Sequence, residues 1–118
     1  MKYTLGNHIH GETNKSYPTL KIEKPFEKLG ILASYDNLEE LCYFIEWLEE
    51  EVVNIDIPDY SIQGAIIYQP ILFGSKKSKI AEIENGEFIG SQEFDTQEFL
   101  EVCYAWRDFL QNGIKQEL

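Results

Sequence analysis

The clearest helical pattern in the chain lies between residues 36 and 53. Apolar side chains recur there at the three- and four-residue intervals of one helix face, at Leu38, Leu41, Cys42, Ile45, Leu48 and Val52. Asp36 with Glu39, and Asn37 with Glu40, have the form of capping boxes, so the helix is predicted to begin at Asp36 or Asn37. The pattern stops near Val53, where the helix is predicted to end.

A second helix is predicted in the last quarter of the chain. Asp95 and Glu98 form another capping box, which predicts the start of this helix. Its apolar stripe consists of Phe99, Val102, Cys103, Trp106 and Leu110. Asn112-Gly113 predicts its C-terminal end, because these two residues are the ones that most readily end a helix.

The segment between the two helices is typical of strands. Residues 62–73 are rich in β-branched and aromatic side chains, and Pro70 indicates an edge or a bulge. Residues 79–84 and 87–92 are joined by Asn85-Gly86, which favours a two-residue type I′ turn. The chain is therefore predicted to be an α+β protein, in which an antiparallel β-meander of three strands is packed by two amphipathic helices in a two-layer sandwich.

The first 35 residues are harder to interpret. Residues 1–18 are polar and mixed, and we expect an irregular arm there with at most a short strand. Residues 20–24 alternate between apolar and polar side chains and could form a strand that ends at Pro25. The apolar run at 29–35 could be a buried strand or the first turn of a helix. With a length of 118 residues, the whole chain, 1–118, is expected to form one domain.

Charge is distributed unevenly along the chain, whose net charge is −11. Residues 1–28 carry a net charge of +2 and residues 76–118 a net charge of −4. Residues 29–75 contain nine acidic residues and no Lys or Arg. An acidic surface repels phosphate, so we expect neither nucleic acid nor an anionic membrane as a partner. A basic protein would be attracted to such a surface, although acidity can also serve solubility alone.

Motifs for catalysis and for cofactor binding are not found. The sequence has no phosphate-binding glycine loop, no zinc-protease motif and no pair of CxxC motifs, so we expect neither an enzyme nor a cofactor. His8 and His10 would share one face of an extended segment, and Glu12 could add a third metal ligand, but such a trio arises easily by chance. Cys42 and Cys103 lie on the two helix stripes and are expected to be reduced, buried and apolar in character.

The C-terminal half resembles a group of small bacterial proteins. Residues 85–99 run through a predicted strand to Phe94-Asp95-Thr96, where a final helix bearing Trp106 is predicted to begin. In general style this is similar to the close of small immunity proteins from polymorphic-toxin and contact-dependent growth inhibition systems. The resemblance covers about the last 60 residues and identifies no specific family.

The resemblance implies a cytoplasmic protein that binds its cognate toxin domain and blocks the active site or substrate groove. Many such toxins are nucleases with basic grooves, which an acidic inhibitor surface would suit. From charge and spacing alone, we predict that the contact surface is the solvent side of the first helix and the loop after it, with two aromatic anchors: Asp36, Glu39, Glu40, Glu46, Trp47, Glu49, Glu50, Asp56, Asp59 and Tyr60.

Two other functions remain open at this point. The protein could be an acidic adaptor or regulatory module with no toxin partner, in which case an isolated gene would be expected rather than one next to a toxin gene. It could also be a DNA mimic that inhibits a host enzyme, which would require carboxylates spaced like phosphates along one face. An enzyme would require a cleft in which His8 or His10 meets carboxylates.

Overall fold

The computed structural model describes residues 1–9, 11–35 and 37–117. It contains six strands, two α-helices, one 3₁₀ helix and a short π-helical segment within these ranges. The strands are β1 (Tyr3–Ile9), β2 (Ser16–Ile22), β3 (Ile62–Ile66), β4 (Gln69–Phe73), β5 (Lys77–Glu84) and β6 (Glu87–Asp95). The helices are the 3₁₀ helix Glu27–Ser34, α1 (Leu38–Leu48), its π-helical extension Glu49–Val53, and α2 (Thr96–Glu117).

The predicted α+β class is confirmed. β3 to β6 form an antiparallel sheet in the order β3-β4-β5-β6, and β1 and β2 form a separate antiparallel hairpin. One face of the four-stranded sheet shares a single apolar core with the helices. At the centre of that core the ring of Phe99 on α2 lies against Phe94 of β6 and Phe44 of α1, with ring centroids 5.6 and 6.4 Å apart.

The N-terminal region is more regular than predicted. Residues 1–18 do not form an irregular arm, because Tyr3–Ile9 pairs with Ser16–Ile22 over seven residues. The pairing places Leu5 opposite Leu20 on one face of the hairpin, and Ile22 on the same face is buried. All of the apolar run at 29–35 except Tyr35 belongs to the 3₁₀ helix, which buries Leu29 and Leu32 beneath the hairpin.

The predicted strand at 62–73 is in fact two strands. The chain reverses at Ile67-Tyr68, and Ile67 adopts the left-handed conformation with a φ of 59°. This conformation is unusual for a β-branched residue, so the sequence contains no turn signal there. The meander therefore has four strands, and the prediction of three was wrong.

Pro70 lies in the inner strand β4 and not at an edge or a bulge. β4 pairs with β5 at Ile71–Ile80 and Leu72–Lys79, and continuing this register leads from Pro70, which has no N–H to donate, to Ala81. The side-chain amide of Gln69 replaces this donor, because its Nε2 lies 2.9 Å from the Ala81 carbonyl oxygen. The Gln69 side chain thus donates to the Ala81 carbonyl the hydrogen bond that Pro70 cannot donate.

Both predicted helix starts are confirmed. The side chain of Asn37 accepts a hydrogen bond from the Glu40 N–H at 2.9 Å, and the side chain of Asp95 accepts one from the Glu98 N–H at 3.0 Å. The Asn85-Gly86 turn is also confirmed, with φ values of 52° and 80°. The predicted stop at Asn112-Gly113 is wrong, because α2 continues through it to Glu117.

Candidate functional site: the acidic face of α1

The solvent side of α1 is acidic because of the spacing of its residues. The helix buries Leu41, Ile45 and Leu48, and this fixes which side chains point away from the core. Four exposed residues, at intervals of four, three and four, line the opposite side; we call Glu39, Tyr43, Glu46 and Glu50 the acidic face. The π-helical extension carries Glu50, so the face spans α1 from its first turn to its end.

Tyr43 lies at the centre of the acidic face. Its side chain is 63% exposed, and its hydroxyl donates a hydrogen bond to Glu39 Oε1 at 3.2 Å. An exposed tyrosine has a large apolar ring and few rotatable bonds, which makes it a common contact residue in protein interfaces. Tyr43 was not among the predicted contact residues, although its spacing from Glu39 and Glu46 already places it on this face.

No cation neutralises the acidic face within the described residues. The four ion pairs in that part of the chain join the N-terminal ammonium to Glu98, Lys28 to Glu82, Lys77 to Asp95 and Arg107 to Asp108. None of them includes a residue of α1 or of its π-helical extension. The carboxylates of the face are therefore held near one another on a single helix without a compensating charge.

The two predicted aromatic anchors have partners within the fold. Trp47 is half-buried at the edge of α1, where its ring centroid lies 5.2 Å from that of Phe73 and 6.2 Å from that of Phe44. Tyr60 lies next to the face of the sheet that points away from the helices. Its hydroxyl donates to Glu93, and the Lys79 ammonium lies 4.2 Å from its ring centroid.

Glu49 connects the two helices. Its Oε2 accepts a hydrogen bond from the Tyr104 hydroxyl of α2 at 2.5 Å. Burial of the phenol, together with the bond to Glu49 and the charge of that carboxylate, raises the pKa of Tyr104 to about 12. The Arg107 guanidinium lies 4.9 Å from the Tyr104 ring centroid. Glu49 is thus engaged in a contact with α2, whereas the hydrogen bond from Tyr43 to Glu39 stays within the acidic face.

The remaining predicted contact residues of α1 lie at its N-terminal end. Glu40 is exposed at the edge of the acidic face, and its charge contributes to the electrostatic environment of Tyr35. Burial raises the pKa of Tyr35 to about 12, and its ring lies 5.5 Å from that of Phe44. Asp36 lies outside the described residues.

The loop after α1 carries two exposed carboxylates on a fixed backbone. Asp56 and Asp59 are both exposed. The Ser75 hydroxyl binds this segment at several points: it donates to the Val52 carbonyl at 2.6 Å, contacts the Ile55 carbonyl, and accepts from the Ile57 N–H at 2.7 Å.

Gly74 allows the loop to approach the sheet. A Cβ atom at this position would lie 2.7 Å from Asp59 Cα and 2.5 Å from the Lys77 carbonyl oxygen, so no other residue fits. The Gly74 carbonyl accepts a hydrogen bond from the buried Thr96 hydroxyl at 2.7 Å, and that hydroxyl also contacts Ser78 Oγ at 2.7 Å. Thr96 at the start of α2 thereby fixes the turn at Gly74 and Ser75, and Ser75 in turn fixes the loop that carries Asp56 and Asp59.

The histidines and cysteines do not form a metal site in the part of the chain that the structure describes. No group of three His, Cys, Asp or Glu side chains there is arranged to hold a metal ion, and His10 lies outside the described residues. The His8 ring packs on Tyr17 with centroids 5.1 Å apart. Cys103 is a buried free thiol whose pKa is raised by burial, and Cys42 is a half-buried free thiol.

Comparison of the chain with protein-family models, with curated proteins and with solved structures gives no significant match. The resemblance to immunity proteins therefore stays a prediction. No helix among residues 1–9, 11–35 and 37–117 is both long and apolar enough to cross a membrane.

Proposed function

We propose that this protein is an immunity protein that binds a cationic toxin domain through the acidic face of α1. The observation that carries this proposal is the set of unneutralised carboxylates of Glu39, Glu46 and Glu50 around the exposed ring of Tyr43. The site of action would be the cytoplasm, where the toxin would otherwise act on the cell that produces it.

The electrostatics of the face support a basic partner. Placing several carboxylates on one helix costs stability, because like charges three and four residues apart repel each other. The same carboxylates attract a basic surface from a distance and increase the rate of association. If the toxin is a nuclease, its substrate groove is lined with cations that bind phosphates, and Glu39, Glu46 and Glu50 would take the place of those phosphates.

Tyr43 supports a protein partner rather than a small cation. Interfaces commonly obtain most of their binding energy from a few central aromatic or arginine residues surrounded by polar ones. The exposed Tyr43 side chain, flanked along the helix by Glu39 and Glu46, resembles this arrangement, and a partner arginine could stack on the tyrosine while it pairs with a neighbouring carboxylate.

Co-expression with the neighbouring toxin candidate tests the proposal. The C-terminal domain of the protein encoded directly upstream is expressed alone and together with this chain, and growth is measured. We expect growth arrest with the domain alone and rescue by the chain. A catalytically inactive form of the domain should then co-purify with the chain as a 1:1 complex. A domain that is harmless, or toxic but neither bound nor rescued, contradicts the proposal and favours an adaptor without a toxin partner.

A further inference from the structure

The two edge strands of the four-stranded sheet differ in how they are protected. Exposed strand edges invite pairing with other chains, and proteins usually block them with charges, proline or bulges. β6 carries Glu87, Glu93 and Asp95, and its pairing with β5 is interrupted by a register shift. β3 has the sequence Ile-Gln-Gly-Ala-Ile, with no charge, no proline and an uninterrupted register against β4. Only β6 is therefore protected against pairing with another strand.

The register shows which backbone groups of β3 are free. Ile66 and Gln69 close the two-residue turn, and such closing pairs exchange hydrogen bonds. Because bonded and non-bonded pairs alternate along an antiparallel ladder, the backbone groups of Gln63 and Ala65 point outward. The pair Ala65–Pro70 is a non-bonded pair in this alternation, which agrees with the proline, because proline has no N–H for a bonded pair.

Gln63 and Ala65 are also exposed to solvent. Both residues lie at exposed positions of β3, whereas Ile66 at the end of the strand is buried. Within the described ranges, no turn, loop or side chain forms a hydrogen bond with either residue. The outer edge of β3 thus presents free N–H and C=O groups at two positions on the same side of the strand.

The edge of β3 adjoins the acidic helix. The ring of Trp47 packs against Gly64, where a Cβ atom would lie 3.6 Å from the ring and 3.0 Å from the Phe73 ring. At the other end of β3, the Ile67 backbone lies close to Tyr35, three residues before α1 begins. Tyr68 in the same turn is 78% exposed. A strand added to β3 would therefore have Tyr68 at one end and Trp47 of α1 close to Gly64 at the middle of β3.

We infer that the free edge of β3 is a docking site for an extended, positively charged strand of the same partner that binds the acidic face. This inference rests on the proposed function. Strand addition would supply backbone hydrogen bonds, with α1 and Tyr68 selecting the side chains. Charge argues against a second copy of this chain, because pairing β3 with β3 would bring two acidic helices together, and residues 29–75 contain no base to offset them.

Substitution of Ala65 tests this inference with the upstream-encoded toxin domain, in its inactive form, as the probe. Ala65→Pro removes an outward N–H that the fold does not use, whereas Ala65→Val keeps it in a residue that suits strands. We expect Ala65→Pro to weaken binding by about tenfold or more, as the loss of backbone bonds at an interface would. Ala65→Val should bind like the wild type, and both variants should keep the wild-type melting temperature.

Amide hydrogen exchange provides a second measurement that needs no substitution. In the wild-type protein the Gln63 and Ala65 amides should exchange fast when it is free and at least about tenfold more slowly in the complex. If Ala65→Pro fails to fold, the protection of these two amides in the complex decides whether a strand adds to β3.

Three outcomes would overturn the inference. If Ala65→Pro binds like the wild type and the Ala65 amide stays unprotected, strand addition is excluded while the acidic face remains. If the wild-type chain does not bind the domain at all, the proposed function fails and this inference fails with it. If the wild type dimerises and Ala65→Pro abolishes the dimer, the occupant of the edge is a second copy.

Discussion

The two α-helices of this protein are built alike, but they differ in whether their carboxylates are paired with cations. Each begins with an asparagine or aspartate cap and packs an apolar stripe into the same core. On α2, Glu98 is paired with the N-terminal ammonium at 2.5 Å and Asp108 with Arg107 at 3.1 Å. On α1, no carboxylate among the described residues has a cation partner. Acidity that served only solubility would be expected to be mixed with bases on both helices, and the unpaired carboxylates of α1 are therefore the observation on which the proposed function rests.

The largest difference between the helices should appear in binding when Tyr43 is removed. We expect Tyr43→Ala to weaken binding of the toxin domain by about 2 kcal/mol, roughly 30-fold, as is typical of a central aromatic contact. The free energy of unfolding should change by less than about 0.5 kcal/mol, because the side chain is exposed. Calorimetric titration and urea unfolding measure the two effects. Tyr17→Ala on the β1–β2 hairpin is the matched control, and equal losses for both variants would contradict a role specific to α1.

Removing the buried Thr96 hydroxyl at the start of α2 should lower the free energy of unfolding, because this hydroxyl helps to fix the turn that binds the acidic loop. Thr96→Val keeps the shape of the side chain but leaves the Gly74 carbonyl and Ser78 without the hydroxyl that contacts them. We expect a loss of about 1–2 kcal/mol in the free energy of unfolding. Thr4→Val, the same change at an exposed position of β1, should have little effect. Equal stabilities of the two variants in urea unfolding would show that the network does not hold the loop.

Two partly buried phenols, Tyr35 before α1 and Tyr104 on α2, should make stability depend on alkaline pH. The pKa values of Tyr35 and Tyr104 are raised from 10.0 to about 12, in both cases mainly by burial. Below pH 10 both phenols are protonated in the folded and unfolded states, and stability is unaffected. Between pH 10 and about 12 the unfolded chain ionises first, so the free energy of unfolding should fall. Tyr35→Phe with Tyr104→Phe should flatten this fall, and an unchanged slope would contradict it.

The smallest effect concerns the cost of an unpaired acidic helix. Glu46→Gln removes repulsion with Glu50 one turn away and should stabilise the fold by about 0.2–0.5 kcal/mol. Asp108→Asn on α2 removes an attraction to Arg107 and should give no gain. Precise chemical unfolding of the two variants makes the comparison. If both variants are more stable than the wild type, the pairing of charges does not distinguish the two helices energetically.

The sequence predicted those elements whose signals are local. Asn37 and Asp95 as caps and Asn85-Gly86 as a turn could be recognised because each residue type has a specific backbone role. The Ile67-Tyr68 turn could not be predicted, since a β-branched residue rarely adopts a positive φ. The N-terminal hairpin was missed because most of its distal residues are exposed and show no apolar alternation.

The candidate site was only partly predictable for a similar reason. Helical spacing places Glu39, Glu46 and Glu50 on the solvent side, and it also places Tyr43 there. The packing of Trp47 against Phe73 depends on β4, which begins 22 residues later, and such a contact produces no periodic pattern in the sequence. Periodicity thus identifies the exposed face of a helix, whereas it does not show which edge residue a neighbouring strand covers.

The affinity of charge-reversed variants for the inactive toxin domain tests the central claim most directly. Glu39→Lys, Glu46→Lys and Glu50→Lys together reverse the acidic face, and Glu12→Lys, Glu23→Lys and Glu87→Lys together make the same change in net charge at exposed positions outside α1. We predict that the first variant loses about 100-fold or more in affinity, because each carboxylate at a basic interface contributes on the order of 1 kcal/mol or more. The second variant should retain most of its affinity. Equal losses for both would show that only net charge matters, and an unaffected first variant would show that the acidic face of α1 is not the binding site.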